Sequence, residues 1–454
     1  MKIKFMGGTG RVTGSCFLLE AEGKKILIDC GLFQGDAASR GKNHEAFAFD
    51  PKQIDVLIAT HSHIDHIGRI PKLYRDGFNG KVYSTNPVKD LAGIFLEDTL
   101  KLLKGEVKRK PGHELIWDET DLNKALNSWE GFDYHQMFNI GNIKIEFLDA
   151  GHILGSAFIK VSAEGKIVVF SGDLGNPPVP IIEDTESVTK ADYVIMESTY
   201  GDRFHESTES REAELKQSLD NIYDRGGVLL IPAFAMERTQ ELLYEINHLV
   251  EAHKIENTSV FLDSPLAIKA TQIYYKYRNY FDEPARDIIK SGDDIFDFRG
   301  LTITKTGEES RKILSAKKPK VIIAGSGMST GGRILGHEVN YLEDPNNMIL
   351  FIGFQVKGTL GRKIKDGEKL VKIMGQEVEV KAEVREISGY SAHADQPKLL
   401  HWLKGMCDIE AEKPKRVFLI HGEPEVEQVL AEKIRTDLSL NVEVPEENEE
   451  IILI

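Results

Sequence analysis

Short apolar or alternating runs, separated by glycine-rich turns, fill the first part of the chain. Residues 2–5, 15–20, 25–29 and 56–59 read as strands on this pattern, and 142–148, 157–161 and 166–171 continue the series. Between them, residues 87–104 place Leu91, Ile94, Phe95 and Leu102 at helical spacing, with Asp98 interrupting that face. The rhythm changes after about residue 205. Helix 212–223, strand 227–231, helix 238–252, strand 259–262 and helix 268–278 follow one another. Strand 320–324 then leads into a glycine-rich loop and a helix, and 348–354 reads as the last strand of this alternation. From about 370 alternating strands return at 377–380 and 384–387, followed by helix 397–404 and strand 416–420. The pattern predicts a sheet-rich α/β first domain, interrupted by a parallel, Rossmann-like second domain. The expected boundaries are 1–205 and 369–454 for the interrupted domain and 206–368 for the insert.

Composition narrows the class. A chain of 454 residues is long for a single core, so more than one domain is expected. Hydrophobic residues make up 41% and charged residues 28%, values of a soluble globular protein. No run approaches the ~20 apolar residues of a membrane span, and residues 1–5 carry no apolar leader segment. Cys16, Cys30 and Cys407 are widely separated and form no CxxC pair, which argues against a thiolate metal site and for a reducing cytoplasm. The net charge of −15 disfavours broad, nonspecific binding to nucleic acid. The basic run Lys108-Arg109-Lys110 reads better as a solvated loop than as a binding patch.

Chemistry concentrates in His61-Ser62-His63-Ile64-Asp65-His66, directly after the apolar run 56–59. Three of the chain's 14 histidines fall within six residues, interleaved with a carboxylate. Imidazole and carboxylate suit zinc, and the spacing supplies two ligand sets: His61 with His63, and Asp65 with His66. Further metal-type ligands stand at the ends of other short apolar strands. His152 follows 147–150, Asp173 follows 167–170 and His421 follows 417–420, each beside a glycine that lets the backbone turn. One strand-terminal polar residue is an ordinary turn cap; three of them joined to the first cluster point to a metal-activated hydrolase.

These motifs resemble the metallo-β-lactamase family and, within it, the β-CASP nuclease branch, which includes the mRNA 3′-end cleavage endonuclease and its bacterial and archaeal relatives. Asp29 in Leu27-Ile28-Asp29-Cys30-Gly31 matches the first family motif, His61, His63, Asp65 and His66 the second, His152 the third and Asp173 the fourth. Glu197 in Met196-Glu197-Ser198-Thr199 matches motif A, His393 in Ser391-Ala392-His393-Ala394-Asp395 motif B, and His421 motif C. Residues 8–14 and 31–35 are also typical of the branch. The resemblance implies an αββα metallo-β-lactamase sandwich carrying an inserted Rossmann-like β-CASP domain.

It also implies roles. His61, His63 and His152 would hold one zinc ion, Asp65, His66 and His421 a second, with Asp173 bridging them. Asp29 would orient a ligand imidazole without binding metal. Two zinc ions would activate a hydroxide as nucleophile. His393, oriented by Glu197, would donate a proton to the leaving oxygen. The loop containing Ser326, Gly327, Met328 and Ser329, before a helix, and Arg238 after another buried strand, are candidate contacts for RNA phosphate. Relatives often carry glycine where this chain has Glu237. Arg333, Lys357 and Arg362 could add positive charge, while His44, His113, His205 and His337 show no ligand spacing. The expected function is a zinc-dependent ribonuclease acting on single-stranded RNA, with a homodimer as a compatible assembly. The alternatives are a DNA nuclease, a small-molecule hydrolase of the same metal fold, or an inactive RNA-binding scaffold.

Overall fold

The computed structural model describes residues 1–109, 114–205, 208–256, 258–353, 355–407 and 413–454. Lys110, His113 and Phe354, named above, lie outside the described residues. The chain divides into two compact units. The first comprises residues 1–177, 184–204 and 392–454; the second comprises 178–183 and 205–391.

The first unit holds two seven-stranded sheets. In one, Lys24–Ile28, Val56–Ile58, Lys81–Thr85 and Trp129–Phe132 run parallel, and Lys2–Phe5 and Phe17–Ala21 extend it antiparallel. In the other, Lys166–Phe170, Tyr193–Glu197 and Arg416–Ile420 run parallel. Strand periodicity distributes their side chains between layers. Phe17, Leu19, Ile26, Ile28 and Ile58 face a core shared with Ile145, Phe147, Ile159, Val168 and Phe170 of the other sheet. Their neighbours Leu18, Leu27 and Leu57 turn outward and pack with Ile67, Leu73, Val88 and Leu96 of helices. Val169, Val194 and Leu419 likewise meet Leu399, Trp402, Leu430 and Ile434. These three apolar layers make the αββα sandwich.

The helix expected at 87–104 spans Asn86–Arg109. Its buried stripe is Val88, Leu91, Ala92, Leu96 and Leu100, whereas Leu102 is 63% exposed. The expected face was therefore rotated: the buried positions follow the 3–4 spacing from Val88, and Leu102 falls off it.

The second unit is a six-stranded sheet in the order Leu301–Ile303, Ser259–Leu262, Lys320–Ala324, Val228–Pro232, Met348–Phe351, Glu383–Glu386. All five pairings are parallel. Here the expected boundary is corrected. Residues 369–391 were assigned to the returning part of the first domain. Instead Glu383–Glu386 adds to the insert's sheet beside Met348–Phe351, making it an edge beyond the expected last strand. The hairpin Leu370–Ile373 with Gln376–Glu379 packs Val371, Ile373 and Val378 on the insert's core. A strand's period of two shows that it has a buried face, but not which sheet it joins.

Candidate metal centre

The candidate ligand residues of the first unit leave strands at their C-terminal ends, which is why distant sequence segments converge. His61 follows Val56–Ile58, His152 follows Ile143–Asp149, Asp173 follows Lys166–Phe170 and His421 follows Arg416–Ile420. Their nitrogen and carboxylate oxygen atoms fall into three groups, one of which joins Asp173 and His421 with His393. His61, His63, His152 and Asp173 lie in one; Asp65, His66 and His421 lie in another, with all ligand atoms of a group within 4.8 Å of one another. His63 Nδ1 stands 3.0 Å from His61 Nε2 and 3.2 Å from His152 Nε2. His66 Nε2 stands 3.3 Å from His421 Nε2, and Asp65 Oδ2 is 3.5 Å from that nitrogen.

Asp173 faces the last two of these groups. Its Oδ2 is 3.4 Å from His61 Nε2 and 3.7 Å from His152 Nε2. Its Oδ1 is 3.3 Å from His66 Nε2 and 3.5 Å from His421 Nδ1. That Oδ1 is buried and has no hydrogen-bond partner among the described residues.

The other ring nitrogens are anchored. His66 Nδ1 donates to Asp29 Oδ2 at 2.8 Å, and Asp29 also accepts from Thr60 N and Thr60 Oγ1 at 2.8 and 2.9 Å. With the Thr60 hydroxyl proton given to Asp29, His61 Nδ1 donates to Thr60 Oγ1 at 3.0 Å. His152 Nδ1 donates to the Ala392 carbonyl at 3.1 Å. Thr199 Oγ1 gives its proton to the His421 carbonyl and accepts from His421 Nδ1 at 3.1 Å. These bonds orient the rings; for His61 and His152 they leave the Nε2 lone pair for the centre, and at His66 they direct Nε2 there. Asp29 thus bonds the His66 ring on the side away from the convergent nitrogens. Thr60 and Thr199 were not foreseen, because a threonine hydroxyl carries no distinctive sequence signal.

The donor set fits zinc. A tetrahedral ion with bonds near ~2.05 Å sets its ligands about 3.3 Å apart, close to the separations found here. Burial pushes the His61 and His152 rings well below the usual histidine range and His63 down to about 4, so these rings are neutral and can ligate. Burial acts in the same sense on His66, but Asp173 and Asp29 hold it well above the usual range. Burial would raise Asp173, but His421, His66 and His61 keep it well below the usual carboxylate range.

Beside this cluster, His393 Nδ1 lies 3.2 Å from Glu197 Oε2 and 3.8 Å from Asp173 Oδ2. Isolated bridges from Gly175 to His393 and from Tyr200 to Asp395 hold its segment. Glu197 is buried and accepts from the Leu174 amide at 2.5 Å. Burial lowers the His393 pKa, but the Glu197 carboxylate outweighs it and brings the ring to about 9. Two residues 196 positions apart in sequence become a hydrogen-bonded pair.

Similarity to known proteins agrees with this geometry. Three family models match: the metallo-beta-lactamase superfamily over residues 9–222, the Beta-Casp domain over 239–364, and the Zn-dependent metallo-hydrolase RNA specificity domain over 377–445. The chain is 39% identical over 425 residues to Ribonuclease TTHA0252 of Thermus thermophilus, covering 94% of each protein. The chain belongs to the β-CASP ribonuclease branch of the metallo-β-lactamase superfamily. As a member, it is a metal-dependent nuclease. It is also 31% identical to an RNase J-like protein of Methanocaldococcus jannaschii, over 93% of this chain and 92% of that one. With the transcription termination factor FttA of Methanosarcina mazei it shares 31% identity, over 97% of this chain and 70% of the other. A crystal structure of a protein of unknown function from Enterococcus faecalis V583 shares the fold, with a TM-score of 0.55 at 12% identity over 100% of this chain and 99% of that one.

The second unit treats its candidate residues differently. Ser326 Oγ accepts from the Thr330 amide at 2.9 Å. The carbonyls of Gly327 and Met328 accept from Gln355 Nε2 at 2.9 Å and the Gly361 amide at 3.1 Å. Ser329, however, is buried and its hydroxyl donates to Glu338. Arg238 is also buried, with Nη1 on Glu241 at 2.5 Å and on the Tyr390 carbonyl at 2.6 Å. These two side chains hold structure and are not presented to a ligand. Arg333 is bonded to Asp263 at 2.6 Å and Arg362 to Asp366 at 2.8 Å, while Lys357 is exposed. His337, without ligand spacing in the sequence, bonds Asp263 at 2.7 Å. Glu237 has φ 62° and ψ −63°, and the amide of Arg238 bonds the carbonyl of Met236 across it. That is a γ-turn which glycine enters without strain.

Proposed function

We propose that the chain hydrolyses phosphodiester bonds of single-stranded RNA at a two-zinc centre, with His393 as general acid. The observation that carries this reading is Asp173, whose two oxygens face two separate ligand groups while His393 stands 3.8 Å from the same carboxylate. His61, His63 and His152 would hold one ion, Asp65, His66 and His421 the other, and Asp173 both. When bound, the zinc pair supplies a water-derived nucleophile at neutral pH and neutralises phosphate oxygens.

The chain's own residues do the rest. Asp29, Thr60 and Thr199 fix the ligand rings, so little reorganisation accompanies binding. Glu197 accepts from His393 Nδ1, which leaves Nε2 to protonate the leaving 3′ oxygen. The RNA specificity domain model and the relatives named as ribonucleases favour RNA as substrate. No helix among the described residues is long and apolar enough to cross a membrane.

The test incubates zinc-loaded protein with 5′-labelled RNA and with a matched DNA oligonucleotide. RNA cleavage is expected, with zinc near two per chain by elemental analysis. His393→Ala should keep both metals and lose roughly 10²–10⁴-fold in turnover. Equal cleavage of DNA, or a metal-free protein that still binds RNA, would replace this reading by the DNA-nuclease or scaffold alternative. Full activity of His393→Ala with metal retained would remove the acid role. Mononucleotide products would assign an exonuclease mode, and discrete fragments an endonuclease mode.

A further inference from the structure

We propose that Phe234 is a stacking platform for one nucleobase of a single-stranded RNA, set beside the loop Gly325–Ser329; the proposal rests on the reading that the protein binds RNA. Phe234 follows the central strand Val228–Pro232 of the parallel sheet, and the Ser/Gly loop follows its neighbour Lys320–Ala324, with Pro232 opposite Ala324. From these two adjacent strands the chain departs to opposite sides of the sheet: Val228–Pro232 leads to Ser259–Leu262, and Lys320–Ala324 leads to Met348–Phe351. The crevice outside the C-terminal ends of such a strand pair is where open parallel sheets receive ligands.

The ring is seated by glycines. A Cβ at Gly327 would lie 2.6 Å from Cδ2 and 2.8 Å from Cε2 of Phe234, and one at Gly353 would lie 3.0 Å from Cε2. Only residues without side chains let that edge of the ring dock against both loops. The backbone is fixed as well: Thr239 Oγ1 donates to the Phe234 carbonyl at 2.6 Å, and the Ala233 amide bonds the Ala324 carbonyl at 3.0 Å. Yet Phe234 keeps 36% of its surface exposed, and among the described residues no other aromatic ring stacks on it. A half-open ring on a ledge of glycines is an apolar surface without an aromatic partner among the described residues.

The surroundings specify the ligand class. The Gly327 and Met328 carbonyls are turned into bonds with Gln355 and the Gly361 amide, so the ring's polar neighbours are not free acceptors. The Glu237 carboxylate, three residues away in sequence, is buried and accepts from the Tyr274 hydroxyl at 2.6 Å. A flat ring with an adjoining loop of amides and hydroxyls suits a nucleotide, with the base on the ring and the phosphate towards the loop. Because the phenyl ring carries no hydrogen-bonding group, it would accept any base.

The test measures binding of a non-hydrolysable phosphorothioate RNA decamer carrying 2-aminopurine. Wild type is compared with Phe234→Leu, Phe234→Ala and Phe234→Trp, with melting curves to confirm folding. Leucine keeps an apolar contact on the glycines but has no aromatic face. About tenfold weaker binding is expected for Leu and Ala, with loss of 2-aminopurine quenching, and near wild-type behaviour for Trp. Leu binding as tightly as wild type, with quenching unchanged, would overturn the platform while leaving the RNA reading intact. Failure of wild type to bind the decamer would instead overturn the RNA reading itself.

Discussion

Both units bury charged and imidazole side chains near the ends of parallel strands, but they close these groups off in opposite ways. In the second unit several buried charges meet opposite ones. Arg211 reaches Glu245 at 2.6 Å, Arg238 reaches Glu241 at 2.5 Å, and Asp263 collects Arg333, His337, Ser310 and Thr304. In the first unit, His61, His63, His66, His152, Asp173 and His421 turn ring nitrogens and carboxylate oxygens towards one another, and Asp173 Oδ1 has no hydrogen bond among the described residues. Groups that neutralise each other hold a fold together. Acceptors that converge without donors are built for a cation.

The contrast can be broken at its ends. The largest effect is expected from Arg211→Ala, which leaves Glu245 buried without its guanidinium partner and should cost about 3–5 kcal/mol in the second unit. Denaturant melts would show this, with zinc content of the folded protein unchanged; a zinc loss without destabilisation would erase the distinction between the units. Next comes Asp29→Asn, which weakens the acceptor fixing His66 and should lower zinc affinity about 10–100-fold, measured by chelator competition. The smallest effect concerns pH. Burial would raise the Asp263 carboxyl, but hydrogen bonds from His337, Ser310, Thr304 and Arg333 hold it well below the usual carboxylate range. Its folded pKa is depressed, so its stabilisation is present above about pH 4 and fades as pH falls below that value. Asp263→Asn should flatten that part of the acid-stability curve; an unchanged acid limb would show that other carboxylates set it.

Much of the candidate metal centre was legible in the chain because its residues are chemically uncommon and locally marked. His61, His63, Asp65 and His66 are consecutive enough to read as ligands, and His152, Asp173 and His421 each stand beside a glycine at a strand end. Thr60 and Thr199 were not legible, since their roles depend on where a hydroxyl proton points. The candidate phosphate-contacting loop was only partly legible. Ser326 and Thr330 bond within the loop, but Ser329 and Arg238 are turned into the unit by Glu338, Glu241 and the Tyr390 carbonyl. Backbone direction decides such orientations, and a strand-to-helix loop can present a side chain either way.

Residue types and their spacing determined the candidate ligand set, the strand–helix rhythm and the family. Imidazole and carboxylate chemistry, like the periods of strand and helix, is local and survives in a linear chain. Tertiary structure decided what long-range pairing alone can decide. It placed residues 369–391 in the insert through the parallel register of Glu383–Glu386 with Met348–Phe351. It joined His393 to Glu197 across 196 positions, and it seated Phe234 on Gly327 and Gly353. Each contact links segments far apart in sequence, where neither periodicity nor composition carries information about distance.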